Sequence, residues 1–193
     1  MNRNQDKRRL EILHLEDSPM DADLIYRYIG ENDRYEFQME VVVKEDEFVA
    51  ALSSKKYDLI LADFMLTGFD GFVALKHVKS ICPSTPFICV SGFIGEETAV
   101  ELLKQGATDY VLKNKLGRLI YSIEKALKET KEVEEKAERA AELQRVQLLL
   151  KSSEERFRSL FEHAPIGIAI NRNDRLQLVN QTYAGMFCYE TSS

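Results

Sequence analysis

The sequence predicts a doubly wound α/β fold, a parallel sheet with helices on both faces, extended by a long helix and a short α+β segment. Three observations carry this. Strand-length apolar runs and helical stripes alternate five times over about 120 residues, joined by short connections. The runs are nearly continuous in Leu, Ile and Val, as strands covered on both faces require. After Lys115 the composition shifts to a stretch poor in Gly and Pro and dense in Glu, Lys, Ala, Leu and Arg.

The first strand spans residues 10–15 and runs straight into the acids Glu16 and Asp17. Ser18 then suits a helix N-cap and Pro19 the first turn, with Ala22, Ile25 and Ile29 as the buried stripe up to Gly30. Residues 36–43, with three consecutive valines, form the second strand, and residues 44–54 a short helix presenting Phe48, Ala51 and Leu52 on one face. The third strand, residues 58–62, delivers Asp63 to a loop that closes at Asp70-Gly71, where a helix begins. That helix continues to about residue 81 and is broken by Cys82-Pro83-Ser84-Thr85-Pro86. Residues 87–90 are the fourth strand, ending at Ser91-Gly92. A helix over residues 96–105 follows, with Gly106 as its stop, and the fifth strand, residues 109–112, is closed by Lys113.

Residues 115–161 can propagate as helix for about 70 Å at the usual rise. Leu119, Ile123, Ala126, Thr130, Val133, Ala137 and Ala140 follow a three-four spacing, and Val146, Leu150, Ser153, Phe157 and Leu160 resume it one residue out of step. Such a seam with charged flanks predicts a coiled coil, most simply a parallel homodimer, with a register break near Leu143. The other reading is a solvated helix whose stripe packs on its own domain. Beyond it, residues 168–170 and 176–179 read as a hairpin around Asn171-Arg172-Asn173-Asp174, and a helix opens at Asn180. About 40 residues cannot enclose a core, so the chain is expected to stop inside a domain.

The 193 residues are 45% hydrophobic, enough for a packed core, and carry a net charge of -6 with a pI near 5.3. That balance argues against nucleic acid or an anionic membrane as a partner, because binding to either rests on Lys and Arg. No apolar run approaches the roughly 18 residues of a membrane span, and the polar N-terminus lacks a signal-peptide core. A cytoplasmic location is expected. Cys82, Cys89 and Cys188 form no CxxC pair or metal-ligand spacing and read as reduced, structural thiols. His14 reads as a core residue, His77 as a helix-surface residue, and His163 has no phosphorelay context around it.

Glu16 and Asp17 follow strand one, Asp63 strand three, Ser91 strand four and Lys113 strand five, so all five lie at the carboxyl edge of the sheet. In open α/β sheets that edge binds ligands where the strand order reverses. Converging carboxylates repel one another unless a cation joins them, and hard oxygen donors suit Mg²⁺. A carboxylate that attacks phosphorus needs its charge balanced and the phosphoryl oxygens held by donors. An ammonium and a hydroxyl facing the acids supply those donors.

On these residues, the stretch 9–127 resembles the receiver domain of two-component response regulators. The resemblance implies a flavodoxin-like strand order 2-1-3-4-5 and a phosphoacceptor Asp63 served by a histidine kinase or phosphotransfer protein. It further implies Mg²⁺ held by Glu16, Asp17, Asp63 and the main-chain carbonyl of Met65, with Lys113 paired to the phosphoryl group. Ser91 would turn inward to bond the phosphoryl group, and Tyr110 would be the aromatic switch that moves with it. Receivers catalyse their own phosphoryl transfer, and the stretch holds no histidine kinase core. Two positions depart from the family pattern: Thr67 stands where Pro is usual, and Asn114 stands where Lys is usually followed by a cis Pro. Residues 153–193 resemble the beginning of a PAS sensor domain, through Arg156-Phe157-Arg158-Ser159-Leu160-Phe161-Glu162-His163-Ala164-Pro165-Ile166-Gly167-Ile168. Residues 128–152 would be the helical linker. The order receiver, helix, PAS resembles the front of a larger signalling protein, often a sensor histidine kinase.

Rival functions fare worse. A haloacid dehalogenase-type hydrolase needs a second Asp two residues after the nucleophile, where Met65 stands. A DNA-binding regulator needs a basic helix-turn-helix, and a single long helix of mixed charge follows instead. A docking module that works on a receiver fold without phosphorylation remains the alternative, disfavoured by the complete acid, Ser and Lys set.

Overall fold

The computed structural model describes residues 9–32, 35–173 and 175–187. Asp174, in the predicted hairpin turn, and Cys188 lie outside them. The described residues divide into two compact units, one up to Glu134 and one from Glu135.

In the first unit, β1 (Arg9–Leu15), β2 (Glu36–Val42), β3 (Leu59–Ala62), β4 (Phe87–Ser91) and β5 (Asp109–Leu112) form a parallel sheet in the order β2-β1-β3-β4-β5. This is the strand order that the family resemblance implied. Every residue of β3 and β4 is buried, which is why both read as unbroken apolar runs. β2 lies at an edge and is mostly half-exposed. Even-numbered β1 residues Leu10 and Ile12 pack with Leu59, Leu61, Ile88 and Val90 under α1 (Pro19–Gly30) and α5 (Leu119–Glu162). Odd-numbered Leu13 and Leu15 pack with Ile60, Phe87 and Cys89 under α2 (Glu45–Ser54), α3 (Gly71–Ile81) and α4 (Glu96–Lys104). The two-residue period of a strand thus supplies two cores from one set of strands.

The caps set where each helix points. Ser18 Oγ accepts from Asp21 N at 3.3 Å, with Pro19 in the first turn, so α1 starts immediately after the acidic pair. Asp70 caps α3 by accepting from Phe72 N and Val73 N, both at 3.0 Å. Gly71 follows because a Cβ there would lie 2.8 Å from Phe64 Cδ2. Its N–H closes the loop after β3 on Phe64 O at 2.9 Å. Gly106 ends α4 with a left-handed φ of 102°, as expected of a helix stop.

The long helix begins later than its composition suggested. Residues Lys113–Arg118 form a 3-10 turn, interrupted at Lys115 by φ -131° and ψ 42°, and α5 starts at Leu119. Buried Asp109 anchors this corner, accepting from Ser122 Oγ at 2.7 Å and from Arg118 Nη2 at 3.0 and 3.3 Å. Leu119, Ile123 and Ala126 are buried on their own sheet, so the first part of the apolar stripe is already used. From Val133 to Leu160 the large apolar residues of α5 are exposed, and i,i+4 pairs such as Arg139 with Glu135 lie along its surface, while Phe161 near its end is buried.

In the second unit, β6 (Ala169–Arg172) and β7 (Arg175–Val179) pair antiparallel, and α6 (Gln181–Met186) follows. Fully buried Asn180 ties this unit together. Its Oδ1 accepts from Ile168 N at 2.8 Å and Tyr183 N at 3.0 Å, and its Nδ2 donates to Phe161 O and Ile166 O. Cys89 is a free, buried thiol whose pKa burial pushes up to about 12, and Cys82 is also free. No described helix is long and apolar enough to cross a membrane.

Candidate functional site

The sheet register brings the site together. Leu15 pairs with Ala62 and Asp63 N donates to Leu15 O at 2.9 Å, so the next residues, Glu16 and Asp63, emerge side by side. Ser91 pairs with Leu112, which places Lys113 just beyond the edge. This is the point where the strand order reverses about β1 and β3.

Lys113 is the hub. Its Nζ donates to Asp21 Oδ2 at 2.6 Å and Asp63 Oδ2 at 2.8 Å, and lies 2.8 Å from Glu16 Oε2 as an ion pair. Burial opposes the Lys113 charge, yet its hydrogen bonds to Asp21 and Asp63 and its contact with Glu16 hold its pKa above the ordinary range. The Glu16 side chain is fully enclosed. Burial raises its pKa, and the Lys113 ammonium opposes that rise. Glu16 Oε1 accepts from Ser18 N at 3.1 Å, while Oε2 is buried with no aligned hydrogen-bond donor. His14, fully buried as expected of a core residue, has its Nε2 3.9 Å from that oxygen. Burial, followed by the nearby Lys113 charge, lowers its pKa to about 4, so the imidazole is neutral at pH 7.

Asp17 takes a different partner. Its Oδ2 accepts from Thr67 N at 3.0 Å and Thr67 Oγ1 at 2.6 Å, tying the β1–α1 loop to the loop after Asp63. The Thr that replaces the usual Pro therefore has a role, since Pro could not donate the backbone bond. Met65 N donates to Asp63 Oδ1 at 3.3 Å while its side chain projects into solvent, as does that of Phe93. Ser91 is buried and its hydroxyl donates to Phe93 O at 3.4 Å. Tyr110 is half-buried, with the Arg118 guanidinium 5.8 Å from its ring centre. The Lys113–Asn114 peptide is trans, like every other described peptide bond.

The residue that sequence reasoning missed is Asp21. Oxygens of Glu16, Asp21 and Asp63 lie within 4.8 Å of one another and could hold a metal ion. An acid in the first turn of a helix ordinarily reads as a partner for the helix dipole. The available signal was the brevity of the link: with Pro19 starting α1 directly after Asp17-Ser18, the first helical turn overhangs the pocket.

These features agree with known proteins. The family description "Response regulator receiver domain" matches residues 12–124, more than half of the chain, and "PAS domain" matches residues 155–193. The transcriptional regulatory protein ZraR of Salmonella typhimurium is 40% identical over 85 residues, 44% of this chain and 19% of that protein. The chain thus spans less than a fifth of that relative's length. Among solved structures, the receiver domain of Francisella response regulator 1452 is 27% identical with a TM-score of 0.55, covering 63% of this chain and 98% of that one. The receiver domain of a signal transduction histidine kinase from Syntrophus aciditrophicus is 28% identical with a TM-score of 0.53, covering 62% and 90%. With its strand order, its acidic pocket at the switch point and this match, the chain belongs to the response regulator receiver domain family.

Proposed function

We propose that this chain is a phosphoacceptor module in which Asp63 takes a phosphoryl group from a histidine kinase or phosphotransfer protein. The observation that carries this reading is the meeting of Asp63, Glu16 and Lys113 at the switch point. The donor set fits Mg²⁺: clustered carboxylate oxygens of Glu16, Asp21 and Asp63, with Glu16 Oε2 buried and balanced only by the Lys113 ammonium at 2.8 Å. The family resemblance gives the ion to Glu16, Asp17, Asp63 and the Met65 carbonyl; Glu16 and Asp63 lie in the cluster, and Asp17, bonded to Thr67, keeps acceptor capacity to join them. When bound, the ion supplies charge neutralisation for the incoming phosphoryl oxygens.

In the transfer, an Asp63 carboxylate oxygen forms the O–P bond as the P–N bond of a phosphohistidine breaks. The electron pair leaves with the imidazole, which takes up a proton. Lys113 already touches Asp63 and becomes a donor to the phosphoryl group, with Ser91 turning from Phe93 O to join it and Tyr110 following. Met65 and Phe93 at the mouth offer no polar side chain to orient an attacking water, so loss of the phosphate is slow. Incubation of the full chain with Mg²⁺ and a small acyl phosphate tests both points by intact-mass spectrometry. A single phosphoryl adduct with a half-life of minutes or longer is expected; no adduct overturns the phosphoacceptor reading, and one lost within seconds overturns the slow loss.

Output runs through α5. Val133, Val146, Leu150, Phe157 and Leu160 are half to three-quarters exposed along one helix, more apolar surface than a lone solvated helix ordinarily carries. We infer a homodimer through this helix, a linker at residues 128–152, and a PAS-containing output over residues 153–193 in a cytoplasmic signalling protein. The likeness to a histidine kinase's receiver supports the place in such a protein. Sedimentation is expected to show a dimer at micromolar concentration that changes shape with beryllofluoride and Mg²⁺. A monomer, or a dimer indifferent to both, would remove the helix from the signalling path.

A further inference from the structure

We propose that Asp21 is a positioning residue that holds the Lys113 ammonium in the resting pocket and yields it to the phosphoryl group. This rests on the phosphoacceptor reading above and adds to it a residue outside the set that the family resemblance supplied.

The shortest of the three contacts to Lys113 Nζ is the one from Asp21, 2.6 Å against 2.8 Å for Asp63 and Glu16. An ammonium has three donors. Two are spent on aligned hydrogen bonds to Asp21 and Asp63, and the third direction is occupied by Glu16. A phosphoryl oxygen on Asp63 therefore finds no free donor until one carboxylate withdraws.

Exposure decides which one. The Glu16 side chain is 0% exposed and that of Asp63 10%, whereas that of Asp21 is 35%. A carboxylate that swings toward water regains its hydration, and an enclosed one cannot. Asp21 is also the third residue of α1, where the unpaired N–H groups of the helix start stabilise its charge once Lys113 has gone. Neither Glu16, held by Ser18 N, nor Asp63, which carries the phosphoryl group, has that exit.

The consequence is a pair of opposite effects. Asp21 is one of three negative charges whose oxygens lie within 4.8 Å, so it favours a divalent cation in the resting pocket. The same charge competes with a phosphoryl group for Lys113 and repels it. A merely structural Asp21 would weaken both ligands together when replaced.

The test is calorimetric titration of the full chain with Mg²⁺ alone and then, at saturating Mg²⁺, with beryllofluoride, for wild type, Asp21→Asn, Asp21→Ala and Asp23→Asn. Asp23 lies on the same helix and pairs with Arg27 at 2.8 Å, so its variant removes the same net charge away from the pocket. Asp21→Asn is expected to weaken Mg²⁺ about fivefold and tighten beryllofluoride about threefold or more, from loss of one nearby charge at an intermediate dielectric. Asp21→Ala should move both constants further in the same directions, and Asp23→Asn should move neither. Constants that shift together, that do not shift, or that shift equally in Asp23→Asn overturn the inference while leaving the phosphoacceptor reading intact. A wild-type chain that binds neither ligand overturns both.

Discussion

Asp63→Asn is expected to reduce Mg²⁺-dependent labelling by a small acyl phosphate to background, a fall of at least about a hundredfold, without unfolding the chain. The amide is close in size to the carboxylate but lacks the anionic oxygen that attacks phosphorus. The backbone at this position is fixed by strand pairing, Asp63 N to Leu15 O at 2.9 Å, and is indifferent to the side chain. Lys113 keeps Asp21 and Glu16 as partners, so the pocket retains a neutralised centre. Thermal unfolding of the variant should therefore stay close to wild type while labelling vanishes. Labelling that persists at the wild-type level would move the phosphoryl group to another residue. The rival reading, a docking module that works without phosphorylation, makes a different forecast: the wild type itself stays unlabelled while dimerising normally.

What the sequence disclosed, and what it hid, divides along physical lines. Strands β3 and β4 were legible because burial on both faces forces an unbroken apolar run, β1 because Leu10, Ile12, Leu13 and Leu15 dominate it, and Pro83 and Pro86 punctuate the approach to β4. The juxtaposition of Glu16 and Asp63 followed from two strand ends once β1 and β3 were neighbours. Contacts made between loops left no trace of that kind. Asp17 and Thr67 are 50 positions apart, and nothing in either residue announces the other. Asp21 looked like an ordinary acid in a first helical turn, because periodicity places it on α1 without saying that α1 overhangs the pocket. The late start of α5 was hidden for the opposite reason: residues 113–118 are not poor helix formers apart from Gly117. It is tertiary anchoring by Asp109 on Arg118 and Ser122 that governs the corner. The half-use of the α5 stripe was equally invisible, since Ile123 and Val133 share one spacing but only the first reaches the sheet.

Lys113→Met should destabilise the first unit by about 3–5 kcal/mol at pH 7 in chelator, the cost of stranding buried charges whose partner is removed. Met has nearly the length of the Lys stem and no charge, so packing is largely kept and the electrostatic loss dominates. Most of the cost falls on Glu16 and Asp63, which are enclosed, and little on Asp21, which water screens. The pH dependence follows from the directions of the shifts. Lys113 has a raised folded pKa, so its stabilisation is complete at pH 7 and is lost only as the solution is made strongly alkaline. Glu16 also has a raised folded pKa. For an acid, that means the folded state favours the protonated form, so its penalty is present at neutral pH and relieved as pH falls through the folded value. Removing Lys113 takes away the ammonium that opposes the rise, so the variant should approach wild-type stability as the solution is acidified and the pocket takes up protons. Mg²⁺ should do at neutral pH what protons do in acid: at a hundred times its dissociation constant, a ligand of the folded state adds about 2.7 kcal/mol. Denaturant melts in chelator and in Mg²⁺, at pH 7 and near pH 5, measure all of this. A variant as stable as wild type in chelator, or one equally weakened with and without Mg²⁺, would mean that the three carboxylates do not share a charge problem.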